Sequence, residues 1–448
     1  MKDLTQGSIL GHVFAMAPQI FAGMIMIMLC QLIDLYFVSG LGDAAIAGVA
    51  AAGNTSFLVS ALTQVLSAGT LAPISHAAGR KDRADASLVF NQSLALSALC
   101  GILTLIVGSL LARGYMRSVA ADDAVIEVGT TYLLWLMPAL ALQFALLVMT
   151  SALRGAGIVR PTTIVQTVTV LLNVVLAPVL VTGWGTGRAL GVAGAGLATS
   201  VSVVIGVMMM GIYFHGSEHY VSLDRKLWRP QLGQWRRILN IGLPAGGELG
   251  IIFAYMAAIY YALGHFGAAA QAGFGIGTRL LGVAHMPALS IAFAAGAIAG
   301  QNFGAGNRER VQQTFKSVLR LGTAMMIALT LLVQWRPEWL LGGFTRDPET
   351  IAIGALFLRM ISLNLVAQGA IFVCSSMFQG LGNTKPVLFS SGARLITYAL
   401  PLIWLSTTPD FRIEQVWYLS IATTTLQAML SLWLLRREFR RRLITLTP

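Results

Sequence analysis

The chain has 448 residues, of which 56% are hydrophobic and 11% are charged. A soluble domain carries about 25% charged residues, so this composition excludes a mainly water-exposed surface and predicts that lipid covers most of the molecule. The formal net charge of +12 would indicate nucleic acid as a partner of a soluble protein. In a membrane protein, cytoplasmic loops rich in Lys and Arg account for it, so we expect no nucleic-acid partner.

Apolar stretches of membrane-spanning length recur along the whole chain. A helix needs about 20 mainly apolar residues to cross the hydrocarbon core of a bilayer. Twelve stretches meet this requirement: 12–38, 44–72, 86–112, 124–150, 159–182, 190–214, 237–263, 268–298, 312–334, 350–377, 386–406 and 414–435. The sequence therefore predicts an all-α, polytopic membrane protein with twelve transmembrane helices.

Basic residues are distributed unequally between the two sides of the predicted membrane. With an even number of spans, twenty Lys and Arg residues fall on the side of the two termini, and six fall in the opposite loops. Cytoplasmic loops carry the excess of positive charge. We therefore expect both termini in the cytoplasm and, given the short loops, a location in a bacterial inner (plasma) membrane.

An internal repeat relates the two halves of the chain. One offset of 225 residues aligns 42–48 with 267–273, 79–83 with 304–308, and 155–161 with 380–386. Because each half holds six spans, both halves enter the membrane from the same side. The pattern predicts two parallel six-helix lobes, 1–220 and 221–448, around a central cleft, an arrangement that suits alternating access.

Two acidic residues lie inside predicted spans, Asp34 in the first and Glu248 in the seventh. Ionisable groups in a membrane are costly and usually functional. Burial favours the neutral form of a carboxyl group, which is the property that a proton-coupled carrier needs. Helical spacing places Gln31 on the face of Asp34 and Tyr255 on the face of Glu248, and an acid beside an aromatic ring suits an organic cation.

Further polar residues lie in spans of the second half. Asn364 and Gln368 share one face of the tenth span, where they either line a cavity or bind neighbouring helices. Four arginines outnumber the acids, so some must reach the membrane interface or bind backbone carbonyls, and their roles stay open. They are Arg279, Arg320, Arg359 and Arg394.

Motifs of catalysis and of metal binding are absent from the sequence. There is no G-x-x-x-x-G-K-[ST] loop, no G-x-S-x-G turn and no H-E-x-x-H pair. The spacing of the three cysteines offers neither a metal site nor a disulfide framework. The sequence therefore predicts no enzyme, no metal site and no cofactor besides a coupling ion.

Several segments together resemble one transporter family. They are Leu32–Gly42, the turns Arg154–Gly157 and Gln379–Gly382 with their following prolines, Asn173 with Pro178, Gly194–Thr199, and Gly300–Asn307. In this order and with the repeat, they resemble the multidrug and toxic compound extrusion (MATE) transporters over nearly the whole chain.

The resemblance implies a secondary active multidrug efflux transporter, expected as a monomer, that exchanges H⁺ or Na⁺ for organic, often cationic compounds. Asp34 would be the cation-coupling acid, with Asn173, Thr199 and Gln31 beside it. Many relatives carry an acid where this chain has Ala177. Fewer oxygen ligands make a sodium site harder to assemble, which favours H⁺.

In the second lobe, the resemblance makes Glu248 a candidate for substrate binding, and we add Tyr255, Asn364 and Gln368 from their placement. Two alternatives stay open. A flippase or exporter of a lipid-linked or amphipathic metabolite would need a more cationic cavity, which the arginines of the second half allow. An intramembrane enzyme would need a catalytic cluster that the sequence does not contain.

Overall fold

The computed structural model describes residues 2–120, 122–185, 187–215 and 220–443. Within these ranges the chain forms helices and no β-strand. The helices of the first half are α1 (Ile9–Ser39), α2 (Asp43–Gly79), α3 (Arg83–Val119), α4 (Asp123–Gly155), α5 (Arg160–Val181) and α6 (Val192–His215).

The second half follows a short 3₁₀ helix at Arg225–Trp228. Its helices are α7 (Leu232–Leu263), α8 (Ala268–Gly304), α9 (Arg308–Trp335), α10 (Pro337–Gly342), α11 (Pro348–Ile361), α12 (Asn364–Gly380), α13 (Lys385–Ser406) and α14 (Ile413–Arg442).

The helices confirm the all-α, polytopic membrane fold. Among the described residues, eleven helices are long and apolar enough to cross a membrane, and α11 with α12 makes a twelfth span that is bent by 54°. The two Gly- and Ala-rich stretches at 190–214 and 268–298 are both helical, as predicted. The short helix α10 has no counterpart among the predicted spans.

The repeat is visible in the bounds of the helices. The bounds of α2 and α8 differ by 225 residues at both ends, and so do those of α5 and α13. The tight turns repeat as well, because Lys81 (φ 59°) and Gly306 (φ 73°) both adopt the left-handed conformation after α2 and α8. Glycine adopts this conformation at little cost, whereas a lysine there is uncommon.

Glycine pairs bring helices into close contact at equivalent places of the two halves. A Cβ atom on Gly48 of α2 would lie 3.0 Å from the backbone nitrogen of Gly129 in α4. A Cβ atom on Gly273 of α8 would lie at the same distance from the nitrogen of Gly354 in α11. Small residues let membrane helices approach closely, so these pairs account for the close packing of α2 on α4 and of α8 on α11.

The chain divides into two compact units. Unit 1 comprises Met1–Asp3 and Gln19–Gly242, and unit 2 comprises Leu4–Pro18 and Leu243–Pro448. These ranges differ from the predicted lobes, 1–220 and 221–448, in the placement of the segments 4–18 and 221–242. Helix α1 thus contributes its first turns to unit 2 and the remainder to unit 1.

Within unit 2, the segment 300–307 holds the beginning of the chain. Gln301 Oε1 accepts a hydrogen bond from the Leu4 backbone nitrogen at 3.0 Å, and Asn302 Nδ2 donates to the Leu4 carbonyl at 3.1 Å. Arg310 donates through Nε to Asn302 Oδ1 at 3.0 Å and through Nη2 to the Gly7 carbonyl at 3.0 Å. The polar side chains of this segment therefore have a structural use.

Within unit 1, α3 holds the connector that precedes α7. Asn91 and Gln92 are both fully buried, and their amide groups bind backbone atoms between Ser222 and Gln231. Arg237, in the first turns of α7, lies 3.3 Å from Asp85. The connector between α6 and α7 is thus held by α3 within unit 1, and its residues 216–219 lie outside the described ranges.

Candidate functional site

Unit 1 contains a buried polar group formed by Asp34, Asn173 and Thr199, from α1, α5 and α6. Thr199 Oγ1 lies 3.3 Å from Asp34 Oδ2, and Asn173 Nδ2 donates to Thr199 Oγ1 at 3.2 Å. Asn173 is fully buried. The structure thus brings together three residues that are far apart in the sequence, and we call them the Asp34 group.

The hydroxyl of Thr199 has two acceptors within reach. Its oxygen lies 3.3 Å from Asp34 Oδ2 and 3.2 Å from the Ala195 carbonyl, one turn earlier in α6. A threonine hydroxyl carries one hydrogen and two acceptor lone pairs. It can donate to an ionised Asp34, or it can donate to Ala195 and accept a hydrogen bond from a protonated Asp34. The group therefore accommodates both protonation states without a change of fold.

Two oxygen atoms of the Asp34 group are buried without a hydrogen-bond partner among the described residues. They are Asp34 Oδ1 and Asn173 Oδ1. A buried acceptor that lacks a partner costs free energy, so these atoms favour a proton or a small cation. Gln31 is exposed one turn before Asp34, and among the described residues no hydrogen bond connects it to the group.

Unit 2 contains a cavity of about 330 Å³. This volume lies at the lower end of the range of small-molecule sites, about 300–1,000 Å³. All four residues predicted to bind substrate line it: Glu248 and Tyr255 from α7, and Asn364 and Gln368 from α12. Much of the remaining wall is apolar, and it includes Ile251, Ile252, Met256, Phe274, Phe372 and Trp417.

Glu248 lies close to the hydroxyl groups of two serines, of which Ser391 also lines the cavity. Ser391 Oγ lies 3.4 Å from Glu248 Oε1, and Ser375 Oγ lies 3.5 Å from Glu248 Oε2. Among the described residues no basic side chain lies within 4.0 Å of this carboxyl group. Within the described residues Glu248 therefore forms no ion pair.

Arg394 of α13 is the one arginine among the four open cases that lines the cavity. Its guanidinium carbon lies 4.2 Å from the centre of the Tyr255 ring. Its Nη1 atom lies 3.3 Å from Gln427 Oε1 and 3.5 Å from Gln368 Oε1. The aromatic face that was expected to attract an organic cation is thus already in contact with a cation of the chain itself.

The other three arginines have exposed side chains. Arg359 lies 2.6 Å from Glu338 in an exposed ion pair, and Arg279 and Arg320 are exposed on α8 and α9. Arginine side chains extend their charged ends toward water or headgroups. The sequence could not separate these residues from Arg394, because all four lie in predicted spans.

The bend between α11 and α12 positions Asn364 at the cavity. Asn364 is the first residue of α12, and its Nδ2 atom donates to Ser420 Oγ at 3.3 Å. Side chains of α9 bind the backbone beside the bend, with Thr330 donating to the Ser362 carbonyl at 3.0 Å and Gln334 donating to the Arg359 carbonyl at 2.6 Å. Such contacts let a helix break inside a membrane.

Comparison with known proteins identifies the family. The MatE family model matches residues 20–179 and 244–405, one segment in each half. The chain is 26% identical over 390 residues to the probable multidrug resistance protein YpnP of Bacillus subtilis, covering 86% of each chain. It is 24% identical to the probable multidrug resistance protein YoeA of the same organism, covering 77% of this chain and 75% of that protein.

A third relative has a different named cargo. The FAD transporter of Shewanella oneidensis is 23% identical over 391 residues, covering 87% of this chain and 86% of that protein. The relatives therefore include proteins named for drugs and one named for a phosphorylated metabolite.

Solved structures show the same fold. A MATE crystal structure in a bent conformation has a TM-score of 0.92 at 22% identity, covering 99% of this chain and 98% of that one. A MOP superfamily transporter from Pyrococcus furiosus, described as having a binding pocket of reversed polarity, has a TM-score of 0.91 at 22% identity and covers 98% of each chain. With a family model matching both halves, this chain belongs to the MatE family of multi-pass membrane transporters.

Proposed function

We propose that this transporter exports small organic compounds, including organic cations, in exchange for H⁺. It would act in a bacterial plasma membrane with both termini in the cytoplasm, as a monomer. The observation that carries the proposal is the Asp34 group, in which a buried carboxyl group meets a hydroxyl that can either donate to it or accept from it. Proton uptake and release need a group of this kind.

The proposed cycle uses the two acceptors of the Thr199 hydroxyl in turn. In the outward-open state Asp34 takes up a proton, and Thr199 redirects its hydrogen from Asp34 to the Ala195 carbonyl. This change alters the hydrogen bonds between α1 and α6, and the substrate leaves outward. After the transporter reopens toward the cytoplasm, Asp34 releases its proton and the original hydrogen bond re-forms.

The choice of H⁺ over Na⁺ follows from the ligands that the group offers. Sodium needs several oxygen ligands at once, whereas a proton needs one carboxyl group. The position that could supply a second carboxylate, one turn after Asn173 on α5, is Ala177, which is buried at 1% exposure. The Asp34 group therefore contains one carboxylate, which suffices for a proton.

Substitution of the acid tests the proposal. In proteoliposomes with an imposed pH gradient, Asp34→Asn should abolish gradient-driven efflux, because the amide cannot exchange a proton. Asp43→Asn is the control, since Asp43 is an exposed acid in the first turn of α2. Efflux by Asp34→Asn at the wild-type rate would refute the assignment. A sodium gradient that drives efflux as well as a proton gradient would refute the choice of ion.

A second candidate function is export of an amphipathic metabolite. The FAD transporter among the relatives and the guanidinium group in the cavity wall favour it over a role limited to cations. Accumulation assays on cells with and without the protein separate the two functions. Retention of cationic dyes by cells that lack it indicates drug export, and retention of an anionic metabolite alone indicates metabolite export.

A further inference from the structure

We infer that the cavity of unit 2 binds substrates through an anionic group, such as a carboxylate or a phosphate, that pairs with Arg394. The inference rests on the proposed function only in calling the bound molecule a substrate. It concerns a side chain outside the predicted set of binding residues, and it narrows the expected substrate class from organic, often cationic compounds to molecules that combine an anionic group with an apolar body.

The charge of Arg394 is not neutralised by a nearby acid. Among the described residues no carboxylate oxygen lies within 4.0 Å of its guanidinium nitrogens. Its two hydrogen bonds to glutamine oxygens both start from Nη1, and its Nε atom is buried without an acceptor. Uncompensated charge inside a membrane is expensive, so a bound anion would lower the free energy of this site.

The neighbouring side chains hold the guanidinium group of Arg394 in place but leave some of its hydrogen-bond donors without an acceptor. The ring of Tyr255 supports one face at 4.2 Å, and the hydroxyl of Tyr255 is fixed by Ser420 at 2.8 Å. Gln427 accepts from Nη1 through Oε1 at 3.3 Å and donates through Nε2 to Ser391 at 3.1 Å. A guanidinium with fixed orientation and free donors is a suitable partner for the two oxygens of a carboxylate or phosphate group.

The rest of the cavity fits the apolar body of such a molecule. Phe274, Phe372 and Ile251 line the wall together with Arg394, so a charged head group and an apolar body can be accommodated at once. Glu248 lines the same cavity. A zwitterion therefore offers an anionic group to Arg394 and a donor to Glu248, whereas a simple cation leaves Arg394 without a partner and adds a second positive charge near it.

Binding of a matched pair of ligands tests the inference. Dansyl-phenylalanine and its methyl ester share one fluorophore and differ by one negative charge. Fluorescence anisotropy on the purified full-length protein in detergent should show the free acid binding at least tenfold more tightly than the ester. Loss of a hydrogen-bonded ion pair weakens binding about ten- to a hundredfold. Arg394→Gln should therefore bind the acid no better than the ester, while Arg394→Lys keeps part of the preference.

Arg279→Gln is the matched control, because Arg279 is an exposed arginine of the same unit and lies outside the cavity wall. It should bind both ligands as the wild type does. The inference is overturned if the wild type binds the ester as tightly as the acid, binds neither, or keeps its preference in Arg394→Gln. Because the wild-type comparison needs no variant, misfolding of Arg394→Gln would not rescue a wrong inference.

The assay also separates this inference from the proposed function. Binding is measured without an ion gradient, so a preference for the acid supports the role of Arg394 even if Asp34→Asn leaves proton-driven efflux intact. Conversely, normal proton coupling together with equal binding of acid and ester would leave the proposed function standing and remove this inference.

Discussion

Asn91→Leu is expected to destabilise unit 1 by removing the Asn91 hydrogen bonds that hold the connector on α3. The amide of Asn91 donates through Nδ2 to the Ser222 carbonyl at 2.8 Å and to the Ser87 carbonyl at 2.8 Å. Its Oδ1 atom accepts from the Asp224 nitrogen and from Trp228 Nε1, each at 3.0 Å. Leucine has a similar volume but no polar atom, so it removes all four contacts at once.

Three of the four contacts determine the size of the effect. The Ser87 carbonyl belongs to α3 itself and is in the helical ladder, so its loss costs little. The other three partners, Ser222, Asp224 and Trp228, belong to the connector, and each loses its hydrogen bond to this amide. The loss of a hydrogen bond by a partly buried group costs about 1 kcal/mol. The sum is about 3 kcal/mol, which corresponds to a fall in Tm of roughly 6–12 °C for a unit of this size.

Thermal unfolding in detergent measures the effect. Asn240→Leu is the matched control, because Asn240 is an exposed asparagine of α7 in the same unit. Affinity for ligands of unit 2 should be unchanged, since Asn91 contacts neither the Asp34 group nor the cavity. A fall in Tm no larger than that of the control would show that the connector is not held by Asn91.

Two further predictions concern the Asp34 group and the helix contacts. Thr199→Val keeps the side-chain shape but removes the hydroxyl, so proton-driven efflux should fall at least tenfold. Thr199→Ser keeps a hydroxyl and should retain most of the efflux. Equal efflux rates for the two variants would exclude the hydroxyl from coupling. Gly155→Ala should lower thermal stability by about 1–3 kcal/mol, because its Cβ would lie 3.0 Å from the Leu71 carbonyl. Gly53→Ala, in open space on α2, should be neutral or slightly stabilising, and a similar loss in both variants would disprove the packing argument.

The number of spans could be predicted because the bilayer imposes a length and a composition on each of them. The turns could be predicted because they need special residues, such as the glycines after α4 and α12. The bend within the tenth span could not. No proline or glycine lies between Gly354 and Gly369, so the local sequence carries no breaking signal, and the bend depends on tertiary contacts from Thr330 and Gln334.

The acids of the candidate sites could be predicted from the sequence, but Arg394 could not, because its role also depends on tertiary packing. Asp34 and Glu248 are conspicuous because an acid in an apolar span is costly wherever its side chain points. Arg394 is not, because the orientation of its side chain distinguishes it from Arg279 and Arg320, and orientation is fixed by packing. Ser391 and Gln427 are ordinary residues in polytopic proteins, and only their contacts with Glu248 and Arg394 give them a role.

The two halves share their turns and differ in their interiors, and the difference is systematic. At the offset of 225 residues, Asp34 corresponds to Ile259 and Asn173 to Tyr398, and both replacements are buried in the apolar core of unit 2.

The reverse comparison shows the same pattern. Glu248 corresponds to Gly23, where the space of a side chain is taken by Gln166, and Arg394 corresponds to Thr169. Each half therefore lacks the charged groups of the other, although α5 and α13, which carry Asn173 and Arg394, begin and end at equivalent positions. Introducing one acid as Ile259→Asp would not transfer the proposed coupling site, because the position equivalent to Asn173 is Tyr398. The duplicated helices supply the framework, and each unit has its own set of buried polar contacts. An alignment of the two halves therefore identifies the shared turns but not the polar sites.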